Sequence, residues 1–254
     1  RMNLTADSYY SVEANKAYWS ASAVKSMLAC QAAGLAELRG EWIRPDSDAL
    51  LIGSYVDAAI EGSLGRFIQY HPQLFKRDGT LKSQYAKADE MARRAMTDPV
   101  FTDFLRGEKQ KIVTGELFGY PFKAKFDVYL PGERIVDVKT VKDLQPVYKP
   151  GQGRLDFATA WNWPLQMAIY QALEGNGLPC YLAVITKENP PDIEIVQIEQ
   201  SRLDAELEFL EKIMPRLDAV KSGVIEPERC GRCAYCRATK RISGATPLTF
   251  YEME

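Results

Sequence analysis

Histidine is almost absent from this sequence, with His71 the single example among 254 residues. It precedes Pro72 in a polar, turn-like stretch. A Ser-His-Asp or Cys-His mechanism needs a histidine as its general base, so it would have to use this one residue. We therefore expect the chemistry of the protein to come from other side chains.

Long apolar runs and a strong positive charge are also missing. No run reaches the ~18 apolar residues of a membrane-spanning helix, and the segment 1–10 lacks the apolar centre of a signal peptide. We therefore expect a cytoplasmic protein without a membrane partner. The formal net charge of −2 argues against a protein that coats DNA, although local clusters of lysine and arginine can still steer a nucleic acid.

The five cysteines predict a metal site rather than a disulfide framework, because their number is odd and the protein is expected in the cytoplasm. Cys230, Cys233 and Cys236 lie within seven residues. Zinc and iron–sulfur clusters both require four ligands, and Cys30 is the candidate for the fourth. Free thiols are the alternative. Cys180 begins an apolar segment and is predicted to be a core residue.

The periodicity of apolar residues predicts helices first, then a sheet, then a long helix. The predicted helices cover 20–39, 50–61, 81–96, 164–174 and 201–220, and the predicted strands cover 112–118, 122–130, 135–139, 181–186 and 193–198. This order predicts an α/β fold with a mixed central sheet flanked by helices. We interpret 1–254 as a single domain with a helical part (1–105), a sheet core (106–200) and a C-terminal helix with the cysteine-rich segment (201–254).

Two acidic residues and a lysine fall on two consecutive predicted strands. Asp137 and Lys139 are two residues apart, so both side chains project from the same face. Across a tight hairpin, Asp127 can approach them closely. Two such carboxylates can hold Mg²⁺, and the lysine can orient or help to deprotonate a water molecule. The alternative is an exposed charged strand, but the neighbouring residues are apolar, and charges on a half-buried strand require a reason.

Five motifs spread over most of the chain support this interpretation. They are Ser20-Ala21-Ser22 before a helix, the segment from Gly53 to Asp57, Asp127, the segment Asp137-Val138-Lys139-Thr140, and Gln166 with Tyr170 four residues later. In this order they resemble the RecB-like branch of the PD-(D/E)XK nucleases, and within it the phage and prophage exonucleases related to exodeoxyribonuclease VIII. The resemblance implies a core like that of the restriction endonucleases.

The resemblance also implies an enzyme and its site, namely a Mg²⁺- or Mn²⁺-dependent deoxyribonuclease. The implied catalytic residues are Asp127, Asp137, Lys139, Gln166 and Tyr170, and the implied metal ligands are Asp57, Asp127, Asp137 and Val138. The family usually has a histidine at the position of Asp57, but aspartate is also a good ligand for hard metals. A surface charge is the alternative for Asp57, and a core tyrosine with a glutamine at its rim is the alternative for the Gln166–Tyr170 pair. Glu61 and Glu116 are weaker candidate ligands.

Substrate and partners follow from the same resemblance. It implies a 5′ to 3′ exonuclease on linear double-stranded DNA in phage-type recombination, which supplies single strands to a single-strand annealing recombinase. Such enzymes often form homo-oligomeric rings around DNA. One alternative is an iron–sulfur nuclease of the CRISPR-associated RecB-like type, acting on single strands or flaps. Another is a catalytically silent DNA-binding or scaffold module, which the missing family histidine would favour.

The cysteine pattern resembles that of RecB-like nucleases with a 4Fe-4S cluster, such as the AddB-type and CRISPR-associated enzymes, in which one early cysteine joins three late ones. Two features differ. The late spacing here is Cys-x₂-Cys-x₂-Cys instead of Cys-x₂-Cys-x₅-Cys, and Gln31 stands where a proline usually follows the early cysteine. Iron–sulfur and zinc therefore both remain open. A groove that binds phosphates is predicted from the basic residues Lys123, Lys125, Lys142, Lys149, Arg154, Arg229, Arg232, Arg237, Lys240 and Arg241.

Overall fold

The computed structural model describes residues 3–45 and 47–248. Its N-terminal part is helical, with α1 (Val12–Ala17), α2 (Ala21–Ala29), α3 (Gln31–Arg39), α4 (Asp48–Glu61), α5 (Leu64–Tyr70), α6 (Ser83–Thr97) and α7 (Pro99–Phe104). The strands β1 (Glu108–Leu117), β2 (Tyr120–Leu130) and β3 (Arg134–Val141) follow, and then a small hairpin of β4 (Val147–Lys149) and β5 (Gly153–Leu155). The chain continues through α8 (Trp163–Glu174), β6 (Cys180–Thr186), β7 (Ile193–Ile198), α9 (Gln200–Lys221) and α10 (Ala234–Ala238).

The central sheet is mixed and has the strand order β1-β2-β3-β6-β7. The first three strands form an antiparallel meander, β3 and β6 are parallel, and β7 returns antiparallel to β6. A parallel pair needs a crossover connection, and α8 lies in the connection between β3 and β6. The predicted α/β fold with a mixed central sheet is confirmed.

Helices cover both faces of this sheet. On one face, α2, α3, α8 and α9 pack around a core that includes Trp19, Met27, Phe126 and Leu210. On the other face, α4, α6 and α7 pack around a second core that includes Val128 and Val136. Because both faces are covered, β6 is buried along almost its whole length. The thiol of Cys180 contributes to this core at the start of β6, as predicted.

The single helix predicted over 20–39 is wrong, because the chain breaks at Cys30. The hydroxyl of Ser20 caps α2 by accepting a bond from the amide of Ala23, as expected. Cys30 has extended backbone angles, and α3 then folds back against α2. The close packing of α3 against α2 requires glycine at position 34, since a Cβ there would lie 2.7 Å from the backbone nitrogen of Met27.

Regular alternation along the predicted strand 122–130 would place Phe126 and Val128 on the same face, and β2 departs from it. Phe122, Ala124 and Phe126 share one core, but Val128 packs into the core on the opposite side of the sheet. In β1, Gln110 lies between the residues that pair with Phe126 and Val128, and it has a φ of 55°. This irregular residue accompanies the change of face.

The other predicted boundaries lie within two residues of the observed ones, except that β1 begins at Glu108, four residues before the predicted start. Ser47 caps α4, and Gly62 ends it in the left-handed conformation (φ 79°). The turn between β1 and β2 lies one residue earlier than expected, at Phe118 and Gly119, which both have positive φ. The short elements α1, α5, α7, α10 and the β4–β5 hairpin were not predicted. Within the described ranges, no helix is long and apolar enough to cross a membrane.

Candidate active site

The candidate site lies where β2 and β3 separate. These strands pair from Val128 and Val136 outward to the hairpin turn. At Asp127 a side chain replaces the backbone in linking the two strands. Its Oδ2 accepts a hydrogen bond from the amide of Val138 at 2.9 Å. A cleft of about 640 Å³ opens at this point, and Asp57, Asp127, Asp137, Lys139, Gln166 and Tyr170 all line it.

Four elements bring these side chains together, and the first of them is β2, which supplies Asp127. β3 supplies Asp137 and Lys139, α8 supplies Gln166 and Tyr170, and α4 supplies Asp57. α4 approaches β3 closely at Gly53, where an added Cβ would lie 3.1 Å from Oγ1 of Thr140. The glycine of the sequence motif therefore lies at the contact between the helix that carries Asp57 and the strand that carries Asp137.

Asp137 is at the centre of the polar contacts and is only 1% exposed. Its Oδ1 accepts a hydrogen bond from Nε2 of Gln166 at 2.8 Å. Its Oδ2 forms an ion pair with Nζ of Lys139, but it has no hydrogen-bond partner among the described residues. A buried charge needs an ionic partner of this kind, and both Asp137 and Lys139 line the cleft.

Burial and the neighbouring acids raise the pKa of Asp127 and the pKa of Asp57. Burial and the neighbouring Asp137 and Asp57 raise the pKa of Asp127 well above its usual range, against the attraction of Lys139. Burial raises the pKa of Asp57 to about 7, with Asp137 and Glu61 adding to the increase and Lys139 opposing it. Burial lowers the pKa of Lys139, but the attraction of Asp137 and Asp127 outweighs it, so the net shift is upward. Three carboxylates in one cleft favour a bound cation.

The donor set fits a hard divalent ion. Carboxylate oxygens are the ligands that Mg²⁺ prefers, and Mg²⁺ typically takes one or two of them and keeps water or phosphate oxygens elsewhere. Asp57, Asp127 and Asp137 can offer such oxygens here. Val138 also lines the cleft, and since its side chain is apolar, only its carbonyl oxygen could serve as a ligand.

Gln166 and Tyr170 form the polar side of α8, and both are buried. Nε2 of Gln166 donates to the Tyr170 hydroxyl at 3.1 Å as well as to Asp137. The ring of Tyr170 also packs on Phe126, with ring centroids 4.9 Å apart. The tyrosine is therefore part of the core and of the polar network at once.

Lys25 is a site residue that the sequence reasoning missed. Its Nζ donates to Oε1 of Gln166 at 2.6 Å. Burial and the nearby Lys139 lower its pKa to about 8, while Asp137 opposes the change. A signal was present in the sequence, because Lys25 is the only charged residue in helix α2.

Gln110 was missed as well. Its Nε2 donates to Oε1 of Glu61 at 2.8 Å and to Oδ1 of Asp127 at 3.4 Å. Glu61 lines the cleft, as a reserve ligand would, and burial raises its pKa. Glu116 is exposed on β1 and is not among the residues that line the cleft.

The predicted basic groove is only partly supported. Lys125 lines the cleft, with its Nζ 4.9 Å from the ring centre of Tyr10. Lys123, however, is 1% exposed, and its ammonium donates to the carbonyl of Tyr9 and to Oδ1 of Asn15. It therefore supports the fold and cannot bind phosphate. The other basic residues predicted for the groove do not line this cleft.

The predicted grouping of Cys30 with the three late cysteines is confirmed. The four Sγ atoms all lie within 4.8 Å of one another. None of the four lines the cleft, so the cluster is separate from the acidic site.

Comparisons with known proteins agree with this geometry. The family described as "PDDEXK-like domain of unknown function (DUF3799)" matches residues 20–239. The crystal structure of a candidate exonuclease from Eubacterium rectale aligns with a TM-score of 0.95 and 37% sequence identity, covering 100% of this chain and 99% of that one. The crystal structure of SSO0001 aligns with a TM-score of only 0.27 at 12% identity, over 71% of this chain and 82% of that one.

No curated protein matches the sequence significantly. The family match includes every motif residue from Ser20 to Cys236, and the sheet order, the acidic cleft and the buried Asp137–Lys139 pair are consistent with it. The chain belongs to the PDDEXK-like family.

Proposed function

We propose that this protein is a divalent-metal-dependent nuclease that hydrolyses the phosphodiester bonds of DNA. The observation that carries the proposal is the convergence of three carboxylates, from Asp57, Asp127 and Asp137, with Lys139 in one cleft of a PDDEXK-like domain. The similarity to a candidate exonuclease along the whole chain favours an exonuclease over other nucleases.

Mg²⁺ or Mn²⁺, when bound, would polarise a phosphoryl oxygen and stabilise the charge that develops during hydrolysis. Asp57, Asp127 and Asp137 would hold the ion, with the carbonyl of Val138 as a further ligand. Gln166 orients Asp137 through its Oδ1, which leaves Oδ2 to the ion pair with Lys139.

Lys139 is suited to stabilise charge rather than to act as a base. The attraction of Asp137 and Asp127 outweighs its burial and raises its pKa above the ordinary value of 10.5. A deprotonated amine is therefore scarce at neutral pH. As an ammonium group, Lys139 can donate hydrogen bonds that orient the attacking water and that stabilise the phosphate.

Lys25 is a positioning residue in this proposal. By donating to Oε1 of Gln166, it leaves the amide group of Gln166 to donate to Asp137. Partners of this kind typically change activity by about 10- to 100-fold when they are removed. We expect Lys25→Met to lower kcat by that factor and to change KM much less, as measured by steady-state cleavage of linear DNA.

The matched control is Lys212→Met, because Lys212 is exposed on α9 and pairs only with Glu208 among the described contacts. It should keep the wild-type kcat. If Lys25→Met also kept the wild-type kcat, Gln166 would hold Asp137 without help from Lys25.

DNA binding is expected to depend on Lys125 at the cleft. Each phosphate contact contributes about one unit to the slope of log K against log salt concentration. Lys125→Ala should therefore weaken binding to DNA of any sequence and reduce the slope by about 1. Fluorescence anisotropy in a salt series measures both effects, and Lys212→Ala should change neither. An unaltered slope for Lys125→Ala would place the phosphate path elsewhere.

We further propose a 5′ to 3′ direction on linear double-stranded DNA, a ring-shaped homo-oligomer and a single-strand annealing recombinase as partner. These three statements rest on the resemblance of the sequence motifs alone. Digestion of end-labelled DNA determines the direction of cleavage, and native mass spectrometry determines the number of subunits.

Digestion of linear duplex DNA labelled at the 5′ or the 3′ end, with Mg²⁺ or with EDTA, tests the proposed function. We expect loss of label from one end with Mg²⁺, no loss with EDTA, and no cleavage of closed circles. Release of the 5′ label first would support the proposed direction. Intact DNA under both Mg²⁺ and Mn²⁺ would instead favour a silent DNA-binding module.

A further inference from the structure

The four clustered cysteines form a small core of their own. Cys30 and Cys236 are buried, and Cys230 and Cys233 are half-buried beside Ala32. The Sγ atoms of Cys30 and Cys236 are 3.6 Å apart, and those of Cys230 and Cys236 are 4.0 Å apart. All four thiols are free, without a disulfide among them.

These separations match a single tetrahedral ion. Zinc–sulfur bonds of about 2.3 Å in a tetrahedron place neighbouring sulfur atoms about 3.8 Å apart. The observed separations, all within 4.8 Å, are close to this value. In a 4Fe-4S cluster, each thiolate binds a different iron at a corner of the core. The core then lies between the sulfur atoms and holds them much further apart, so the arrangement does not fit the cluster that the sequence resemblance implies.

The backbone around the thiols also supports thiolate ligands. The amide of Cys233 donates to Sγ of Cys230 at 3.3 Å, and the amide of Cys236 donates to Sγ of Cys233 at 3.4 Å. The amide of Cys230 donates to Sγ of Cys30 at 3.5 Å. These bonds hold the sulfur atoms in place, and sulfur is the atom through which cysteine binds a metal.

The two residues at which the sequence differs from the iron–sulfur pattern have roles in this arrangement. Gln31, at the position of the usual proline, accepts a bond from the amide of Glu228 through its Oε1 at 2.9 Å. The amide of Ala32 donates in turn to the carbonyl of Glu228 at 3.0 Å. The short second gap lets Cys233 cap α10, with Cys236 in that helix. Both features bring the late cysteines against the break between α2 and α3.

We propose that Cys30, Cys230, Cys233 and Cys236 form a structural Zn²⁺ site that fastens the C-terminal segment to the α2–α3 break. Four protein ligands leave no open position for a substrate, as in other closed zinc sites. The site joins residues that are about 200 positions apart in the sequence, so its free energy of binding adds to that of folding. Because α2 also carries Lys25, loss of the ion should loosen one wall of the acidic cleft.

Metal analysis of the full chain tests this proposal. The protein is purified without oxygen from cells supplied with both iron and zinc, and its metal content is measured by mass spectrometry. We expect about one Zn²⁺ per chain, no iron and a colourless solution. Cobalt-substituted protein should show the visible spectrum of tetrahedral thiolate coordination.

Two variants and one control complete the test. Cys236→Ser and the less buried Cys230→Ser should each lose the zinc and unfold at a lower Tm, whereas Cys180→Ala should keep the zinc. If a variant fails to fold, removal of zinc from the wild type with a chelator gives the same comparison of Tm. A brown wild-type protein with four iron atoms per chain would overturn the proposal. So would a wild-type protein that is purified without metal, or one whose Tm does not change when a chelator removes the zinc. None of these readouts depends on nuclease activity.

Discussion

Asp137→Asn is expected to lower the rate of DNA cleavage about a thousandfold or more and to leave DNA binding intact. A metal ion stabilises the charge of the transition state by several kcal/mol, and each 1.4 kcal/mol corresponds to a factor of ten in rate. Asparagine keeps the oxygen that accepts from Gln166, but it removes the charge that pairs with Lys139 and attracts a cation. Single-turnover cleavage and binding anisotropy measure the two effects separately.

The matched control is Asp204→Asn. Asp204 is exposed on α9 and accepts a bond from Gln200 at 2.8 Å, so this variant makes the same chemical change outside the cleft. It should cleave like the wild type. Thermal unfolding of both variants shows whether lost activity reflects lost structure. If folded Asp137→Asn cleaved at the wild-type rate, the assignment of the site would be wrong.

Gly34→Ala is expected to destabilise the fold by about 3 kcal/mol or more, because it overpacks a contact between two backbones. The added Cβ would lie 2.7 Å from the nitrogen of Met27 and 2.9 Å from its Cα. Neither atom can move without shifting α2 against α3. An alanine inside a helix normally stabilises it by about 1 kcal/mol relative to glycine, so the predicted effect has the opposite sign to the ordinary one.

Gly65→Ala provides the comparison, since nothing lies within 4 Å of a Cβ at that position of α5. It should leave the free energy of unfolding unchanged or raise it slightly. Chemical denaturation of both variants and the wild type gives the values. A Gly34→Ala protein as stable as the wild type would mean that α2 and α3 are not packed as described.

Local patterns in the sequence were sufficient for the centre of the site. Asp137 and Lys139 share a face because strands repeat every two residues, and a hairpin places Asp127 beside them. Asp57, Gln166 and Tyr170 lie on helices that dock from elsewhere in the chain. That these three residues belong to the same site could be inferred only from the order of the motifs along the chain. Periodicity predicts their helices but not where those helices pack.

The features that the sequence did not predict depend on how helices and strands pack against one another. Lys25 reaches Gln166 because α2 packs against α8, a contact between segments far apart in the sequence. Gln110 reaches Asp127 from a residue of β1 with positive φ, although glutamine rarely adopts that conformation. Lys123 was assigned to a groove because alternation cannot show that a neighbouring segment covers a strand face. The carbonyl of Tyr9 and the side chain of Asn15 occupy that place.

We propose that the acidic cleft holds a divalent ion. Anomalous scattering from crystals soaked in Mn²⁺ tests this, since Mn²⁺ replaces Mg²⁺ at oxygen sites and is located by its own signal. We predict an anomalous peak between the carboxylates of Asp57, Asp127 and Asp137, within about 2.3 Å of their oxygen atoms, and no such peak in Asp137→Asn. A wild-type map in which Mn²⁺ binds elsewhere but leaves this cleft empty would show that the three carboxylates do not form a metal site.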